Sequence, residues 1–487
     1  DKWWDYWPRF TYSGGRDIHK VLDLEANVTT VTSFAMDEGR GPFFRESEFT
    51  RFGGYLDAME AEGVRSGVWL EHGGEARAVL GAVNDRGGGD YEIDPLTGAP
   101  KLIAHNWTWD EMGPSVNPDA NKLVWMGLHS WANQEPWQGS YVRPNSFPEP
   151  TYPDGTSALG YLDNSIDPTK AKLYDAMGSK DLNGNTILES IMFEVGSDLT
   201  GKVAIPQANG STKYYGDIFF GRDLATDWWT KYNVEAAKYF MERGVQSFWV
   251  DNYSGFEFIG NVPLYSSFGY WTEAKFREYL AARPGIVANP SAFDIKAYLV
   301  NQFGSWYPGL DPYNIKDGNV LAAWRDARWQ QDPVWRAFMS FKAETAQARA
   351  QELYDGIKQG AAALNLDPDD ILIGGNDIPR LSFAAFNGTE VDMVNTEYNP
   401  YHSVVSGYSA DGLPPYGHAG PTYSLSVNFA KSKRANVWYY LPDIYAKYQN
   451  RTNLGEILGY EALSKNVLIN TSSDNATIAG SDESSKK

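Results

Sequence analysis

The chain has 487 residues, 42 Lys and Arg against 62 Asp and Glu for a formal net charge of -20, no cysteine, and an aromatic content of 15%. That acidity excludes nucleic acid or an anionic membrane surface as partner, since both demand clustered Lys and Arg; the missing cysteines exclude disulfides, thiolate metal sites and a Cys nucleophile. No apolar run approaches the roughly 20 residues of a membrane-spanning helix, so the composition is that of a globular protein with a large core and an uncharged partner.

The opening Asp1-Lys2-Trp3-Trp4-Asp5-Tyr6-Trp7-Pro8 is too aromatic for a free tail, and an N-terminal segment over residues 1–27 is expected to pack on the body of the fold. A start at Asp1 without an apolar leader reads as a processed form. Eight Asn-X-Ser/Thr sequons, at Asn27, Asn106, Asn209, Asn252, Asn387, Asn450, Asn470 and Asn475, fit a glycosylated, secreted or cell-surface protein.

Val28 to Phe34 is β-branched and predicts a first strand, Phe49 to Glu62 a helix closed by Gly63, and Arg65 to Glu71 a second strand. Turn signals at Arg86-Gly87-Gly88-Gly89 and Asp94 to Gly98 mark a hairpin excursion before Lys122 to Ser130, read as the third strand. Residues 131–223 are rich in Pro, Gly, Asn and Tyr, have no helical period, and are too long for a loop, so they predict an inserted subdomain.

Between Ala225 and Gly244 the positions Trp229, Tyr232, Ala236, Ala237 and Phe240 keep the spacing of a core-facing helix. The run Gly244 to Asn252 then reads as a buried parallel strand, the fourth, ending on Asp251. Thr272 is expected to cap a helix carrying Phe276, Tyr279 and Leu280. Asp332-Pro333 starts a long helix whose buried side carries Leu353, Ile357, Ala361 and Leu364.

Strands follow at Ile371 to Asp377, Val391 to Glu397, Asn436 to Asp443 and Val467 to Ser472, with helical segments at Ser424 to Ala435 and Asn453 to Asn466, and residues 473–487 form a polar tail. Eight strands interleaved with helices predict an α/β fold: a (β/α)8 TIM barrel over residues 28–472, with a long insertion after the third strand.

In such a barrel the C-terminal strand ends carry the chemistry. Strand alternation groups Asp251 with Trp249, Glu397 with Asn395, Asp377 with Gly375 and Glu71 with Trp69. Carboxylates gathered at one mouth repel and push one pKa up. Two carboxyl groups with separated pKa values are what glycosidic cleavage requires.

Asp251 in Phe248-Trp249-Val250-Asp251-Asn252 resembles the fourth-strand nucleophile of retaining glycoside hydrolases with barrel folds. The resemblance is at clan level and covers about Val28 to Ser472. It implies a carbohydrate substrate, Asp251 as nucleophile, and an acid/base on the fifth or sixth strand, where Asp377 and Glu397 stand. The Asn-Glu pair that another large retaining barrel group carries on its fourth strand is missing, so that group's roles do not transfer.

Glu71, His129, Trp131, Trp137, Tyr253 and Tyr398 border the expected mouth as candidates for contacting sugar hydroxyls and ring faces. Asp181, Asn183 and Asn185 alternate like part of a calcium loop, but the sixth-position Gly and twelfth-position Glu are missing. The sequence has no phosphate loop, dinucleotide fingerprint, His-Glu-x-x-His or Gly-x-Ser-x-Gly, so nothing beyond that weak calcium candidate points to a cofactor. The alternative is a non-catalytic glycan-binding or structural envelope or filament protein on the same barrel, since fold does not fix function.

Overall fold

The computed structural model describes residues 10–13, 28–31, 56–71, 75–79, 131–134, 143–162, 171–186, 188–189, 203–206, 212–215, 217–251, 268–306, 330–376, 389–398, 434–439 and 468–472. Its strands are β1 (Phe10–Ser13), β2 (Val28–Val31), β3 (Arg65–Glu71), β4 (Glu75–Val79), β5 (Leu188–Glu189), β6 (Val203–Pro206), β7 (Thr212–Tyr215), β8 (Asp217–Gly221), β9 (Ser247–Asp251), β10 (Leu372–Asn376), β11 (Met393–Tyr398), β12 (Arg434–Tyr439) and β13 (Leu468–Ser472). Its longer helices are α1 (Lys172–Met177), α2 (Trp228–Met241), α3 (Tyr270–Ala281), α4 (Ile295–Trp306) and α5 (Pro333–Ala363).

Eight strands close into a barrel in the order β1-β13-β12-β11-β10-β9-β3-β2, every pair parallel. Parallel neighbours need long crossovers. Helical residues 56–61 precede β3, α2 precedes β9, and α5 precedes β10.

The strand numbering differs from the sequence expectation in a compensating way. Phe10–Ser13, inside the segment expected to pack on the barrel, is the first barrel strand; the Val28 and Arg65 strands are therefore second and third. Lys122 to Ser130, expected as the third strand, lies outside the described residues, and β3 pairs directly with β9. Asp251 therefore keeps its place on the fourth strand, and the long excursion after the third strand starts beyond Glu71. That excursion holds an antiparallel sheet in the order β4-β8-β5 and the β6-β7 hairpin. The helices expected at Ser424 to Ala435 and Asn453 to Asn466 lie outside the described residues, except that Arg434 and Ala435 belong to β12.

The registers fix the stagger of the barrel. Carrying the partner offsets once round, from Gly67 to Ser247 and on through β10, β11, β12, β13, β1 and β2, returns to β3 eight residues nearer its N-terminus. Eight strands with a shear of eight is the TIM-barrel geometry. A level circuit then climbs one residue per strand, and each layer of the lumen draws on alternate strands.

Val68, Leu70, Phe248, Val250 and Ile373 are fully buried, apolar, and share one face of the sheet, as expected of the layer under the helices. The other face runs Gly67, Trp69, Glu71 on β3 and Ser247, Trp249, Asp251 on β9.

The long helix α5 joins barrel and superstructure. Its Asp332 cap accepts from the Val334 and Trp335 amides at 2.9 and 3.1 Å, with Pro333 at the first position, as the sequence led one to expect. At 31 residues it is about 46 Å long against about 17 Å for a five-residue strand, so its first half stands beyond the rim from which β9 emerges. There Trp335, Phe338 and Phe341 form a core with Phe268, Phe276 and Leu280 and with Ile295, Leu299 and Phe303 of α4. Each fully buried side chain of this kind contributes about 2–3 kcal/mol.

The second half of α5 crosses α2 at two glycines. A Cβ on Gly356 would meet Val234 Cγ2 at 2.5 Å, and one on Gly360 would meet Lys238 Cγ at 3.0 Å. Gly356→Val is accordingly expected to destabilise by about 1–3 kcal/mol through overpacking; an unchanged denaturant midpoint would show that the helices part freely.

The excursion from β3 and the helices after β9 pack into one wall. Thr272, expected as a helix cap, is instead inside α3, whose cap position Gly269 has no side chain. Asp223 supplies the missing acceptor from 49 residues away, taking the Thr272 amide at 2.9 Å, the Thr272 hydroxyl at 2.7 Å and the Ala225 amide at 3.0 Å. Trp271 Nε1 donates to the Thr151 carbonyl and the Phe268 amide to that of Lys180. Lys180 is paired with Asp175 at 2.6 Å, and Asp175 also accepts from the Tyr152 hydroxyl at 2.8 Å. The wall therefore rises from the strands that end on Glu71 and Asp251.

Candidate active site at the barrel mouth

Glu71 and Asp251 are the last residues of adjacent strands and are direct Cα partners. Because side chains alternate, both belong to the face opposite the buried Leu70 and Val250. The stagger adds what pairing alone does not show. Each partner, counted from β3 through β9 towards β12, lies one step lower along the barrel axis, so the residue level with Asp251 two strands on is Glu397, not its row-mate Asn395.

The top layer of the lumen thus contains Asp251 on the fourth strand, Glu397 on the sixth and Ser472 on the eighth. One step down, on the odd strands, lie Tyr12, Trp69, Asn376 and Trp438. Below these come Thr30, Trp249, Asn395 and Asn470. Sequence reasoning missed Asn376, Trp438 and Tyr12. The signal available was a polar or aromatic residue next to the C-terminal end of each β-branched run, but ranking such residues requires the shear.

The remaining candidates divide. Tyr398 closes β11 opposite Tyr439, in the alternate class to Glu397. Asp377, His129, Trp137 and Tyr253 lie outside the described residues; β10 ends at Asn376. Trp131 is a correction. It is fully buried with Phe147, Trp228 and Tyr232 at ring-centroid distances of 5.0, 6.2 and 5.1 Å, so it has no open face for a sugar ring. An aromatic-rich stretch beside a mouth looks alike in sequence whether its rings face solvent or each other.

The alternating oxygens at Asp181, Asn183 and Asn185 form a closed turn. Asp181 accepts from the Asn185 amide at 2.9 Å and from its Nδ2 at 3.2 Å, while Gly184 takes a φ of 84°. Asn185 thus presents a nitrogen to the carboxylate where a cation site needs an oxygen. Among the described residues no three His, Asp or Glu side chains gather as a metal site would require. The sequon at Asn470 lies within β13, a barrel strand, and not in the surface loop a glycan needs.

Fold and rim together define an eight-stranded parallel barrel with acids ending adjacent strands. No protein-family model matches the chain and no curated relative resembles it. Among solved structures it is similar to the β-amylase catalytic domain of Paenibacillus polymyxa, at 11% identity over 98% of each chain with a TM-score of 0.43. It is also similar to the trehalose-6-phosphate hydrolase of Bacillus licheniformis, at 10% identity over 97% of this chain and 65% of that one with a TM-score of 0.37. A trehalulose synthase aligns at 10% identity over 86% of this chain and 51% of that one, with a TM-score of 0.33. Scores below 0.5 at such identities assign neither family nor activity.

Proposed function

We propose that the chain is a (β/α)8-barrel glycoside hydrolase cleaving O-glycosidic bonds of a glycan or polysaccharide by retention, with Asp251 as nucleophile and Glu397 as acid/base. The observation that carries this is the level placement of the two acids on alternate strands. Two Cα atoms a quarter-turn apart on a barrel of roughly 7–8 Å radius are roughly 11 Å from each other, room for a sugar ring between the two positions.

In the first step Asp251 attacks the anomeric carbon while Glu397 gives its proton to the departing oxygen; in the second, Glu397 takes a proton from water as that water displaces Asp251. Glu71 ends the strand beside that of Asp251, as its direct Cα partner. Its own role is a hydroxyl contact. Asp377 is the reserve acid.

Turnover of a glycan panel, followed by the anomeric configuration of the first product, is the test. Glu397→Gln is expected to lose about 10²–10⁴-fold on substrates with poor leaving groups and much less on activated aryl glycosides. If Asp377→Asn shows that pattern and Glu397→Gln does not, the two acids exchange roles. Inverted product would remove the covalent step.

A further inference from the structure

We propose that the layer beneath the acids, formed by Tyr12, Trp69, Asn376 and Trp438, is the floor of the binding site, and that Trp438 is the platform on which an uncharged sugar ring stacks. The inference rests on the glycosidase reading for its ligand class, but its geometry comes from the registers alone.

Three of the four floor positions are aromatic, although they come from β1, β3 and β12, far apart in sequence. The two tryptophans differ in their neighbours. Trp69 is the Cα partner of Trp249, another tryptophan. Trp438 has Glu397 and Asn470 as partners, a carboxylate and an amide. An aromatic bordered by polar groups suits a ligand with an apolar face and a hydroxylated edge. Charge narrows the class further. Among the described residues the charges at this end of the lumen face are the acids Glu71, Asp251 and Glu397, while the lumen-face residues Arg65 and Arg434 lie five steps below Asp251, at the other end of the barrel. Among the described residues a uronate or phosphosugar would meet like charge there and no cation.

The experiment is calorimetric titration of full-length Asp251→Asn protein with neutral oligosaccharides and their uronate-containing counterparts. Adding Trp438→Ala is expected to weaken neutral-glycan affinity about tenfold or more, while Trp438→Phe keeps it within about threefold, given what an aromatic contact contributes beyond its area. The uronate counterparts are expected to bind at least about tenfold more weakly than the neutral ones. In the active enzyme Trp438→Ala should raise KM with little change in kcat, as for a contact equal in ground and transition states. Trp438→Leu, which keeps bulk but has no ring face, replaces the Ala variant if the latter unfolds, and is expected to bind as weakly.

Unchanged affinity in a folded Trp438→Ala or Trp438→Leu protein overturns the platform while leaving the hydrolase reading intact. Equal binding of uronates overturns the charge selection. Binding that depends on Trp438 without turnover by the unmodified chain keeps the floor and removes the hydrolase. Neither binding nor turnover across the panel overturns both.

Discussion

Asp251→Asn is expected to lose roughly 10⁴-fold or more of glycan turnover at an unchanged unfolding midpoint, the loss found when a covalent nucleophile is replaced by a near-isostere. Asp251 ends β9 directly after Val250, which is fully buried, so the strand that presents it is anchored independently of the carboxylate. Asn keeps the size and loses the charge. Its amide cannot form the glycosyl ester, whereas every packing contact of β9 remains. Equal turnover by wild type and Asn variant would falsify the nucleophile assignment. Glycan binding by the unmodified chain without turnover would favour the non-catalytic reading.

The second large effect is expected at Asp223, which is fully buried yet carries a carboxylate. Asp223→Ala leaves the Thr272 amide and hydroxyl and the Ala225 amide without this acceptor, and removes the side chain that caps α3. Unsatisfied buried donors of this number predict a loss of roughly 3–5 kcal/mol in denaturant unfolding. The wall that flanks the acids should loosen first, so glycan affinity should fall before the barrel unfolds.

Its pH dependence has a defined sign. Burial pushes the Asp223 carboxyl above its ordinary value of 3.8, against hydrogen bonds from Thr272, Ala225 and Trp271 that pull it down. The native state therefore holds this proton at a pH where the unfolded chain has released it. The contribution is most favourable below 3.8 and declines as pH rises through the folded pKa, after which it is flat. Asp223→Asn removes that slope; a difference curve between the two proteins that does not vary with pH would sink the assignment.

Much of the fold was legible because the relevant forces are local. The helix α2 was visible in the spacing of Trp229, Tyr232, Ala236, Ala237 and Phe240, all fully buried or nearly so. Asp332-Pro333 announced α5 through a cap that acts within three residues. Seven of the eight barrel strands, β2 and β3 and then β9 to β13, were visible as β-branched or apolar runs. Phe10–Ser13 was not, since Phe-Thr-Tyr-Ser is short and follows an aromatic stretch that hides its alternation. Lys122 to Ser130 had the same composition as a barrel strand, and only the direct pairing of β3 with β9 excluded it from the third place. Asp223 was invisible for a different reason. A cap supplied across 49 residues leaves no local pattern at Gly269, and Thr272, the usual capping type, drew attention to itself.

By itself the sequence determined that an apolar strand ends on Asp251, that another ends near Glu397, and that the surface is too acidic for a polyanionic partner, because alternation, strand propensity and net charge are properties of neighbouring residues or of sums. Only the tertiary structure decided which acids stand level. That depends on the shear of the closed barrel, a sum of eight registers, each set by packing between segments up to hundreds of residues apart. The same sum brought Tyr12 and Trp438 under the acids; packing against Phe147, Trp228 and Tyr232 put Trp131 in a buried aromatic cluster, and the strand order kept Asp251 on the fourth strand although the strands before it were miscounted.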